Sequence, residues 1–508
     1  MRLNILIGGK AGQGINKVSE IVAKVATNYG YFTFNYRDYQ SLIRGGHNFN
    51  VLCISDKWIA STDSEMDVIV ALDNKTIELH KKELKKDGIV IESEGFENYE
   101  RNLNVALAGA LIKILGIDKK ILLDKVKKEF NSIESLKAAE KGYESQNEKF
   151  GLKKLNNKSV TMTGNSGIVK GAVESGIELY FSYPMTPATG VMHELASIEK
   201  EKCDFIVVQP ENEIAVINMG LGASYTGKKV MIGTSGGGYD LMTEALSLSG
   251  QAEIPIVIYL ASRPGPSTGV PTYSSQDDLN VALRAGHGEF ARLVVAPGDP
   301  VECIENTNES FYLSEKLKIP TIVLSDKHLA EGEYSINKKS NNTLKVEVKR
   351  TLPGAGKIVK ASSYEHDKFG FSVEEPELVK KGVEARLKVY EDLKKECKKF
   401  DMIKVHGKKD SKNLIVSWGS TKGAILDAIS DLDCKFLQVL YMKPMSDKIK
   451  EEIQKAKKVI LIENSSAGQL GRLIREKTGI KIEKRILKYD GRPFFADELK
   501  KEIVKELK

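Results

Sequence analysis

The chain has 508 residues, which is too many for one hydrophobic core and predicts three or four domains. Hydrophobic residues make up 41% of it and charged residues 29%, as in soluble globular proteins. The net charge of +7 is the small difference between 76 basic and 69 acidic residues, and no aromatic residues interleave with the lysine-rich stretches, which argues against nucleic-acid binding.

The cysteines and the apolar runs indicate a cytoplasmic protein. The five cysteines are far apart and form no Cys-x-x-Cys pair, so the sequence predicts no metal or iron–sulfur site in this chain. Scattered single cysteines fit a reducing compartment. No apolar run approaches the roughly 20 residues of a membrane helix, and the apolar N-terminal segment is too short for a signal peptide. We therefore expect no membrane association.

Residues 1–150 alternate strands with helices, which predicts a small α/β domain with a mostly parallel sheet. The first strand, at residues 3–7, is followed by the glycine-rich turn Gly-Gly-Lys-Ala-Gly-Gln-Gly at residues 8–14 and a helix at residues 16–28. Further strands are predicted at residues 31–35, 49–54, 68–72 and 88–91.

Two more α/β units are predicted after a polar linker at residues 143–158. The second unit occupies residues 151–331 and ends in a continuous apolar strand at residues 321–325. Residues 332–410 lack this alternation and are interpreted as a connecting arm with one amphipathic helix, and residues 411–508 form the third unit. The predicted fold class is therefore α/β, with three α/β units joined by a linker and a long arm.

Three short segments of the second unit each follow an apolar stretch of strand character. They read Tyr-Pro-Met-Thr-Pro-Ala-Thr-Gly from Tyr183, Gln-Pro-Glu-Asn-Glu up to Glu213, and Arg-Pro-Gly-Pro-Ser-Thr-Gly from Arg263. In an open α/β sheet, the loops that leave the carboxyl ends of strands bind ligands. The sequence therefore predicts that Thr186, Glu213 and Arg263 lie around one crevice.

Each segment also has a simpler interpretation. The prolines make the first a rigid turn. Glu211 and Glu213 could lie in the first turn of a helix, where acids suit the helix dipole, and Arg263 could be a surface cation. The order and spacing of the three segments, followed by Gly-Thr-Ser-Gly-Gly-Gly at residues 233–238 and Gln-Asp-Asp at residues 276–278, favour the functional interpretation.

Together the segments closely resemble the pyrimidine-binding domain of the 2-oxoacid:ferredoxin oxidoreductases, which are thiamine diphosphate enzymes. The resemblance implies that Glu213 hydrogen-bonds N1′ of the aminopyrimidine and relays the proton whose movement activates C2 of the cofactor. Glu211 is the alternative acid, but Glu213 has the family's spacing from the glycine of Gly-Ala-Ser at residues 222–224. The resemblance implies further cofactor contacts from Tyr183, Pro184 and Thr186.

The same resemblance implies that Thr186 and Arg263 bind the 2-oxoacid, whose carboxylate a guanidinium can hold at two points. The family's loop more often reads Tyr-Pro-Ile-Thr-Pro-Ser-Ser. Met185 and Ala188 depart from that pattern, and the alanine removes one hydroxyl.

Half of the cofactor site is missing from this sequence. Thiamine enzymes hold the diphosphate through Mg²⁺ with a Gly-Asp-Gly motif, and the nearest match here, at residues 298–300, reads Gly-Asp-Pro. The family supplies Mg²⁺, the diphosphate site and a [4Fe–4S] cluster in a separate β subunit. The resemblance therefore implies a chain that is inactive alone.

The glycine-rich turn at residues 8–14 is suited to binding a phosphate at a helix N-terminus, although a tight strand-to-helix turn explains it equally well. With Arg37-Asp38 and the stretch Arg-Gly-Gly-His from Arg44, the first unit resembles the γ domain of the same enzymes. That resemblance implies a coenzyme A site, for which the candidate residues are Gly12, Gln13, Gly14 and Arg44, with Lys10 and Arg37 near the phosphates.

The third unit resembles the transketolase C-terminal-like domain of these α subunits, and we expect it to serve packing and dimerisation. The whole chain thus resembles an α subunit with a fused γ domain, first choice the 2-oxoglutarate enzyme. The expected partners are the β subunit, ferredoxin, a 2-oxoacid and coenzyme A, in a dimer of heterodimers. The alternatives are a pyruvate or broad-range 2-oxoacid enzyme, a non-catalytic scaffold and, disfavoured by the glycine spacing, a nicotinamide dehydrogenase.

Overall fold

The computed structural model describes residues 1–508 except 43, 44, 203, 342, 358, 360 and 361. The elements of the first 150 residues are β1 (Arg2–Gly9), α1 (Ile15–Asn28), β2 (Phe32–Asp38), β3 (Asn48–Ser55), β4 (Met66–Ala71), α2 (Asn74–His80), β5 (Leu84–Ile91), α3 (Leu103–Leu115), α4 (Lys119–Phe130) and α5 (Ile133–Glu144).

The middle of the chain is a succession of strands and helices around a second sheet. Its elements are β6 (Val160–Thr163), α6 (Gly164–Glu174), β7 (Leu179–Ser182), α7 (Thr189–Lys202), β8 (Ile206–Val208), α8 (Glu213–Tyr225), β9 (Val230–Thr234), α9 (Gly236–Leu241), α10 (Thr243–Ala252), β10 (Ile256–Ser262), α11 (Leu279–Arg284), β11 (Leu293–Val295), α12 (Pro300–Leu317), β12 (Pro320–Asp326), α13 (Lys327–Glu331) and β13 (Glu333–Ile336).

The last part begins with a long helix and contains a third sheet. Its elements are α14 (Pro376–Cys397), β14 (Ile403–Gly407), β15 (Asn413–Trp418), α15 (Thr421–Ala428), β16 (Lys435–Val439), β17 (Tyr441–Lys443), α16 (Lys448–Lys455), β18 (Lys458–Glu463), α17 (Gln469–Thr478), β19 (Lys484–Leu487) and α18 (Ala496–Leu507).

The α/β class is confirmed, with three sheets. The strand orders are β5-β4-β1-β3-β2-β13-β6, β17-β11-β12-β10-β9-β7-β8 and β14-β16-β15-β18-β19. The second sheet is parallel from β11 to β8, and only β17 pairs antiparallel at its edge. Apolar side chains of the first two sheets, such as Leu6 and Tyr180, belong to one continuous core cluster, so the two sheets pack together.

The first sheet is mixed, and the prediction of a mostly parallel sheet was wrong. β1 and β2 both pair antiparallel with β3, and β13 pairs antiparallel with β2 and β6. β2 and β3 are joined by a loop that is too short for the crossover a parallel pair requires, so they pair as antiparallel neighbours.

Several strands cross the predicted unit boundaries. β6 and β13, from the predicted second unit and arm, complete the first sheet. β14 lies before residue 410 but pairs in the third sheet, and β17 leaves that unit to join the second sheet. The predicted arm thus contributes two strands and α14, and the units are interleaved through their edge strands.

Among the described residues, no helix combines the length and the apolarity that crossing a bilayer would need.

Candidate functional site

The loops that carry Thr186, Glu213 and Arg263 meet at one edge of the second sheet. They follow β7, β8 and β10, which run parallel and therefore end on the same side. Nη1 of Arg263 donates a hydrogen bond of 3.0 Å to the carbonyl oxygen of Thr186. The carboxylate of Glu213 is near enough to act on the charge of Arg263. The structure therefore brings the three predicted residues together.

Glu213 is the first residue of α8 and only 4% exposed. The helix start is fixed by Asn212, whose Oδ1 accepts a hydrogen bond of 3.0 Å from the N–H of Ala215. Oε1 of Glu213 is shielded from solvent and has no hydrogen-bond partner among the described residues. Glu211, two positions earlier, is exposed. Burying a carboxylate oxygen without a hydrogen-bond partner costs free energy, which indicates that a bound ligand supplies the missing hydrogen bond.

The space beside Glu213 depends on Gly238 in α9. A Cβ atom at that position would lie 2.7 Å from both Cγ and Oε1 of Glu213 and 2.2 Å from Oγ1 of Thr234. Neither neighbour could move aside easily, because both are buried. Only glycine at this position leaves the carboxylate where it is.

Arg263 is half-buried and keeps most of its donors free. Burial lowers the pKa of its guanidinium, and the charges of Asp278 and Glu213 oppose that effect. Among the described residues, no carboxylate lies within ion-pair distance of it, and the carbonyl of Thr186 is its one recorded hydrogen-bond acceptor. The remaining N–H groups can therefore receive a ligand carboxylate.

Asn165, which the sequence did not single out, positions the Thr186 loop. Its Nδ2 donates to the carbonyl oxygen of Pro187 at 3.1 Å, and its Oδ1 accepts from the hydroxyl of Tyr259 at 2.7 Å. Its amide also fills the space that a Cβ at Gly190 would need. A single asparagine at a helix start carries no signal that distinguishes this role from a cap.

Asp278 adds a second buried carboxylate beside Arg263. Burial raises its pKa to about 6, and its Oδ2 has no hydrogen-bond partner among the described residues. Both of its oxygens would lie 2.5 Å from a Cβ at Gly236, so Asp278 faces the first turn of α9.

The predicted cofactor residues Tyr183 and Pro184 lie at the open side of the crevice. Tyr183 is 38% exposed and Pro184 is exposed as well. Both are therefore accessible from outside this chain.

A cleft of about 670 Å³ connects the Thr186 loop with the glycine-rich turn of the first unit. Gly12 and Gly14 lie in its wall, opposite Thr186, and Arg37 lines it as well. Both glycines have left-handed backbones, with φ of 94° and 87°, and Gly14 precedes the first residue of α1. No acidic residue lies in the first turn of α1, so the helix N-terminus facing the cleft is free to receive an anion.

Two of the residues predicted for coenzyme A do not gain support from this geometry. Gln13 does not line the cleft, and its Oε1 instead accepts a hydrogen bond of 2.6 Å from the N–H of Lys10 within the turn. Arg44 lies outside the described residues.

One side of α8 is mostly apolar and uncovered. Ile214 is 52% and Met219 44% exposed, and the exposed Asn218, one turn after Ile214, is a polar residue on the same side. A Cβ at Gly222, on the same side, would meet nothing within 4 Å. The helix that begins with Glu213 therefore presents a mostly apolar surface with room for a close neighbour.

Comparisons with known proteins place the chain in one family. Residues 170–401 match the family model described as pyruvate flavodoxin/ferredoxin oxidoreductase, thiamine diphosphate-binding, and residues 4–100 match pyruvate ferredoxin/flavodoxin oxidoreductase. The 2-oxoacid:ferredoxin oxidoreductase subunit alpha of Saccharolobus solfataricus is 30% identical, over 99% of this chain and 97% of its own length. The 2-oxoglutarate synthase subunit KorA of Methanocaldococcus jannaschii is 30% identical over 59% of this chain and 87% of its own.

A solved structure covers the whole chain. The 2-oxoglutarate:ferredoxin oxidoreductase from Magnetococcus marinus, with 2-oxoglutarate, coenzyme A and succinyl-CoA bound, is 25% identical, with a TM-score of 0.89 over 100% of both chains. With a full-length relative at 30% identity, the chain belongs to the 2-oxoacid:ferredoxin oxidoreductase family, as an alpha subunit that carries the thiamine diphosphate-binding domain.

Proposed function

We propose that this subunit serves the coenzyme A-dependent oxidative decarboxylation of a 2-oxoacid, first choice 2-oxoglutarate to succinyl-CoA, with electrons passed to ferredoxin. The observation that carries the proposal is the buried, unpartnered Oε1 of Glu213 at the edge where Thr186 and Arg263 meet.

The residues around Glu213 fit the aminopyrimidine half of thiamine diphosphate. A pyrimidine nitrogen would supply the hydrogen-bond partner that Oε1 of Glu213 lacks among the described residues, and Gly238 leaves the carboxyl group undisturbed. When bound, the cofactor supplies the carbon nucleophile and electron sink for decarboxylation. Glu213 would hold a proton at Oε1, which is shielded from solvent, and exchange it with that nitrogen. Tyr183 and Pro184 are accessible for contacts at the open side.

Arg263 and Thr186 would orient the 2-oxoacid. The free donors of Arg263 suit a two-point contact with a carboxylate. Nη1 of Arg263 also donates a hydrogen bond to the carbonyl oxygen of Thr186, so binding of the 2-oxoacid is linked to the position of the Thr186 loop. Asn165 fixes the other side of the same loop, so the Thr186 hydroxyl is placed before substrate arrives.

The cleft between the glycine-rich turn and Thr186 would hold coenzyme A. Its phosphates suit the N-terminus of α1 and Arg37, and the cleft leads from there to the substrate loop. The related Magnetococcus enzyme has coenzyme A bound in its structure. Gly12 and Gly14 remain the candidate contacts.

A β subunit would complete the site against α8. The exposed, mostly apolar side of α8, with Ile214, Met219 and the open position at Gly222, is typical of a surface that another protein covers. We assign to that subunit the diphosphate site, Mg²⁺ and the [4Fe–4S] cluster, and expect a dimer of heterodimers. The described cysteines are all free, which suits a cytoplasmic enzyme.

2-Oxoglutarate is favoured by the names of relatives, among them the KorA subunits, and by the ligand of the Magnetococcus enzyme. Pyruvate or a broad range of 2-oxoacids is the alternative, since relatives such as the Saccharolobus subunit are named for 2-oxoacids in general. A scaffold role is disfavoured because it would not require a desolvated carboxylate at Glu213.

The test is to purify the chain with the subunit that co-elutes, record the iron–sulfur absorbance, and follow viologen reduction by 2-oxoglutarate and by pyruvate, each with and without coenzyme A. We expect reduction that requires coenzyme A and is faster with 2-oxoglutarate. Faster reduction with pyruvate would overturn the assignment of 2-oxoglutarate as the substrate. No reduction by any 2-oxoacid, in a complex that contains the cluster, would overturn the proposed reaction.

A further inference from the structure

A second cleft, of about 340 Å³, lies where three parts of the chain meet. Its walls come from the end of α11, the C-terminal half of α14, and the segment from β17 to α17 in the third unit. It shares no lining residue with the cleft that contains Thr186. Nothing in the proposed reaction uses it.

Positive charge dominates this cleft. Two acidic residues, Asp447 and Glu476, face five basic ones: Arg284, Lys394, Lys443, Lys450 and Lys477. Glu476 is shared, because it pairs with Arg284 and, at 3.0 Å, with Lys477. Lys394 pairs with Glu391, outside the cleft lining, at 2.7 Å. Among the described residues, Lys443 and Lys450 have no ion-pair partner, so the cleft keeps an excess of positive charge.

Lys443, at the end of β17, is a partly buried and poorly paired cation of this cleft. Its Nζ lies 3.5 Å from the carbonyl oxygen of Leu283 and 6.0 Å from the ring centre of Tyr390. Among the described residues, no carboxylate lies within 4.0 Å of it. Burial, together with the charges of Arg292, Lys477 and Arg284, lowers the pKa of Lys443 to about 8.

Arg292 lies near Lys443 but does not line the cleft, and among the described residues no carboxylate lies within 4.0 Å of it. Burial lowers the pKa of its guanidinium, and the hydroxyl of Tyr239 opposes that effect. Arg292 is 3% exposed, stacks on Phe290 at 4.3 Å, and reaches a carbonyl oxygen, that of Ala282, only at 3.5 Å. Its Nε has no partner among the described residues. When two poorly paired, buried cations lie close together, each raises the free-energy cost of keeping the other charged. A bound anion would lower that cost.

The end of α11 explains part of this arrangement, because cations are favoured near C-terminal carbonyl groups. The carbonyl oxygen of Leu283 accepts from at most one of the three N–H donors of Lys443, at 3.5 Å, so the other two remain for a ligand. Tyr390, Met442 and Leu473 add an apolar wall beside the free donors. Small-molecule sites combine such a wall with a few convergent polar groups.

We propose that this cleft binds a small organic anion, a phosphate ester or a carboxylate, with its charge on Lys443, Lys477 and Arg284 and its carbon skeleton against Tyr390 and Leu473. The ligand would bridge α11, α14 and the third unit.

The test is calorimetric titration of the full chain, at constant low ionic strength, with inorganic phosphate and separately with succinate. We expect saturable binding of one of the two, weakened about tenfold or more by Lys443→Gln. Lys477→Gln, on the exposed rim, should weaken it by a smaller factor and cannot disturb the core. Lys501→Gln makes the same charge change at an exposed position of α18 and should leave binding unchanged.

The two probes separate the ligand classes: binding of phosphate alone assigns a phosphate ester, and binding of succinate alone assigns a carboxylate. The proposal is overturned if neither anion binds saturably. It is also overturned if Lys443→Gln and Lys501→Gln weaken binding equally, because the effect would then be general surface charge.

Discussion

The Thr186 loop and the glycine-rich turn face the same cleft but are built by different means. Side chains hold the Thr186 loop: Asn165 and Arg263 each donate a hydrogen bond to one of its carbonyl groups. The glycine-rich turn is shaped by the left-handed backbones of Gly12 and Gly14, with open space around Gly12. The first arrangement fixes side-chain atoms where they can react. The second leaves backbone accessible to a large ligand and places few side chains against it.

Apart from replacing Glu213 itself, the largest effect should come from filling the space beside it. Gly238→Ala should lower turnover about a hundredfold, because the new methyl group displaces the carboxylate and misplacement of about 1 Å is enough for such a loss. Gly237→Ala is the matched control, since a Cβ there has only an ordinary contact at 3.7 Å. The measurement is the steady-state turnover of the assembled enzyme for both variants. Equal losses in both variants would mean that α9, and not Glu213, is being disturbed.

Arg263→Lys should raise the KM for the 2-oxoacid about tenfold, because lysine keeps the charge but loses the two-point contact and the hydrogen bond to Thr186. The KM for coenzyme A should change less. Arg475→Lys, at an exposed position of α17, is the control. Initial rates with each substrate varied in turn test this. A larger change in the KM for coenzyme A would remove Arg263 from the 2-oxoacid site.

A smaller effect is expected at the glycine-rich turn. Gly12→Ala adds a methyl group to the cleft wall at a φ of 94°, and should raise the KM for coenzyme A several-fold. Gly479→Ala imposes similar strain, at a φ of 76°, in open space at the end of α17. Both variants should lose about 1 kcal/mol of stability in thermal unfolding. If Gly479→Ala raised the KM equally, strain alone would explain the result.

The smallest effect concerns Asp278, the buried carboxyl group beside Arg263. The pKa of Asp278 is raised to about 6 in the folded chain, so its ionisation costs stability as the pH rises from its ordinary pKa toward 6. Asp278→Asn should therefore melt a few degrees above the wild type at about pH 7 and lose that advantage near pH 4. Asp410→Asn, at an exposed carboxylate between β14 and β15, should show little pH-dependent difference. A constant difference for Asp278→Asn would contradict the buried ionisation.

The sequence predicted the crevice because its three loops follow parallel strands, whose carboxyl ends must share one edge. The spacing to Gly222 favoured Glu213 over Glu211, and Glu213 is the buried one of the pair. Asn165 was missed because its bonds, to Pro187 and Tyr259, are distant in sequence.

The exchange of edge strands was equally hidden in the sequence. β6, β13 and β17 are three or four residues long, too short for a periodic pattern, and their partners belong to other units. Gln13 looked like a ligand because it lies in the turn, whereas its side chain closes the turn from within. The exchange of strands depends on tertiary contacts, whereas the position of the Gln13 side chain depends on a local contact with Lys10.

The central claim is that the buried Oε1 of Glu213 relays a proton to the cofactor. It is tested most directly by comparing Glu213→Gln with Glu211→Gln, two substitutions of the same kind two residues apart, one buried and one exposed. Both variants should assemble and bind thiamine diphosphate, since an amide still fills the site. We expect turnover of Glu213→Gln to fall by roughly two orders of magnitude or more and that of Glu211→Gln to remain near the wild-type rate. Wild-type turnover in Glu213→Gln would contradict the account.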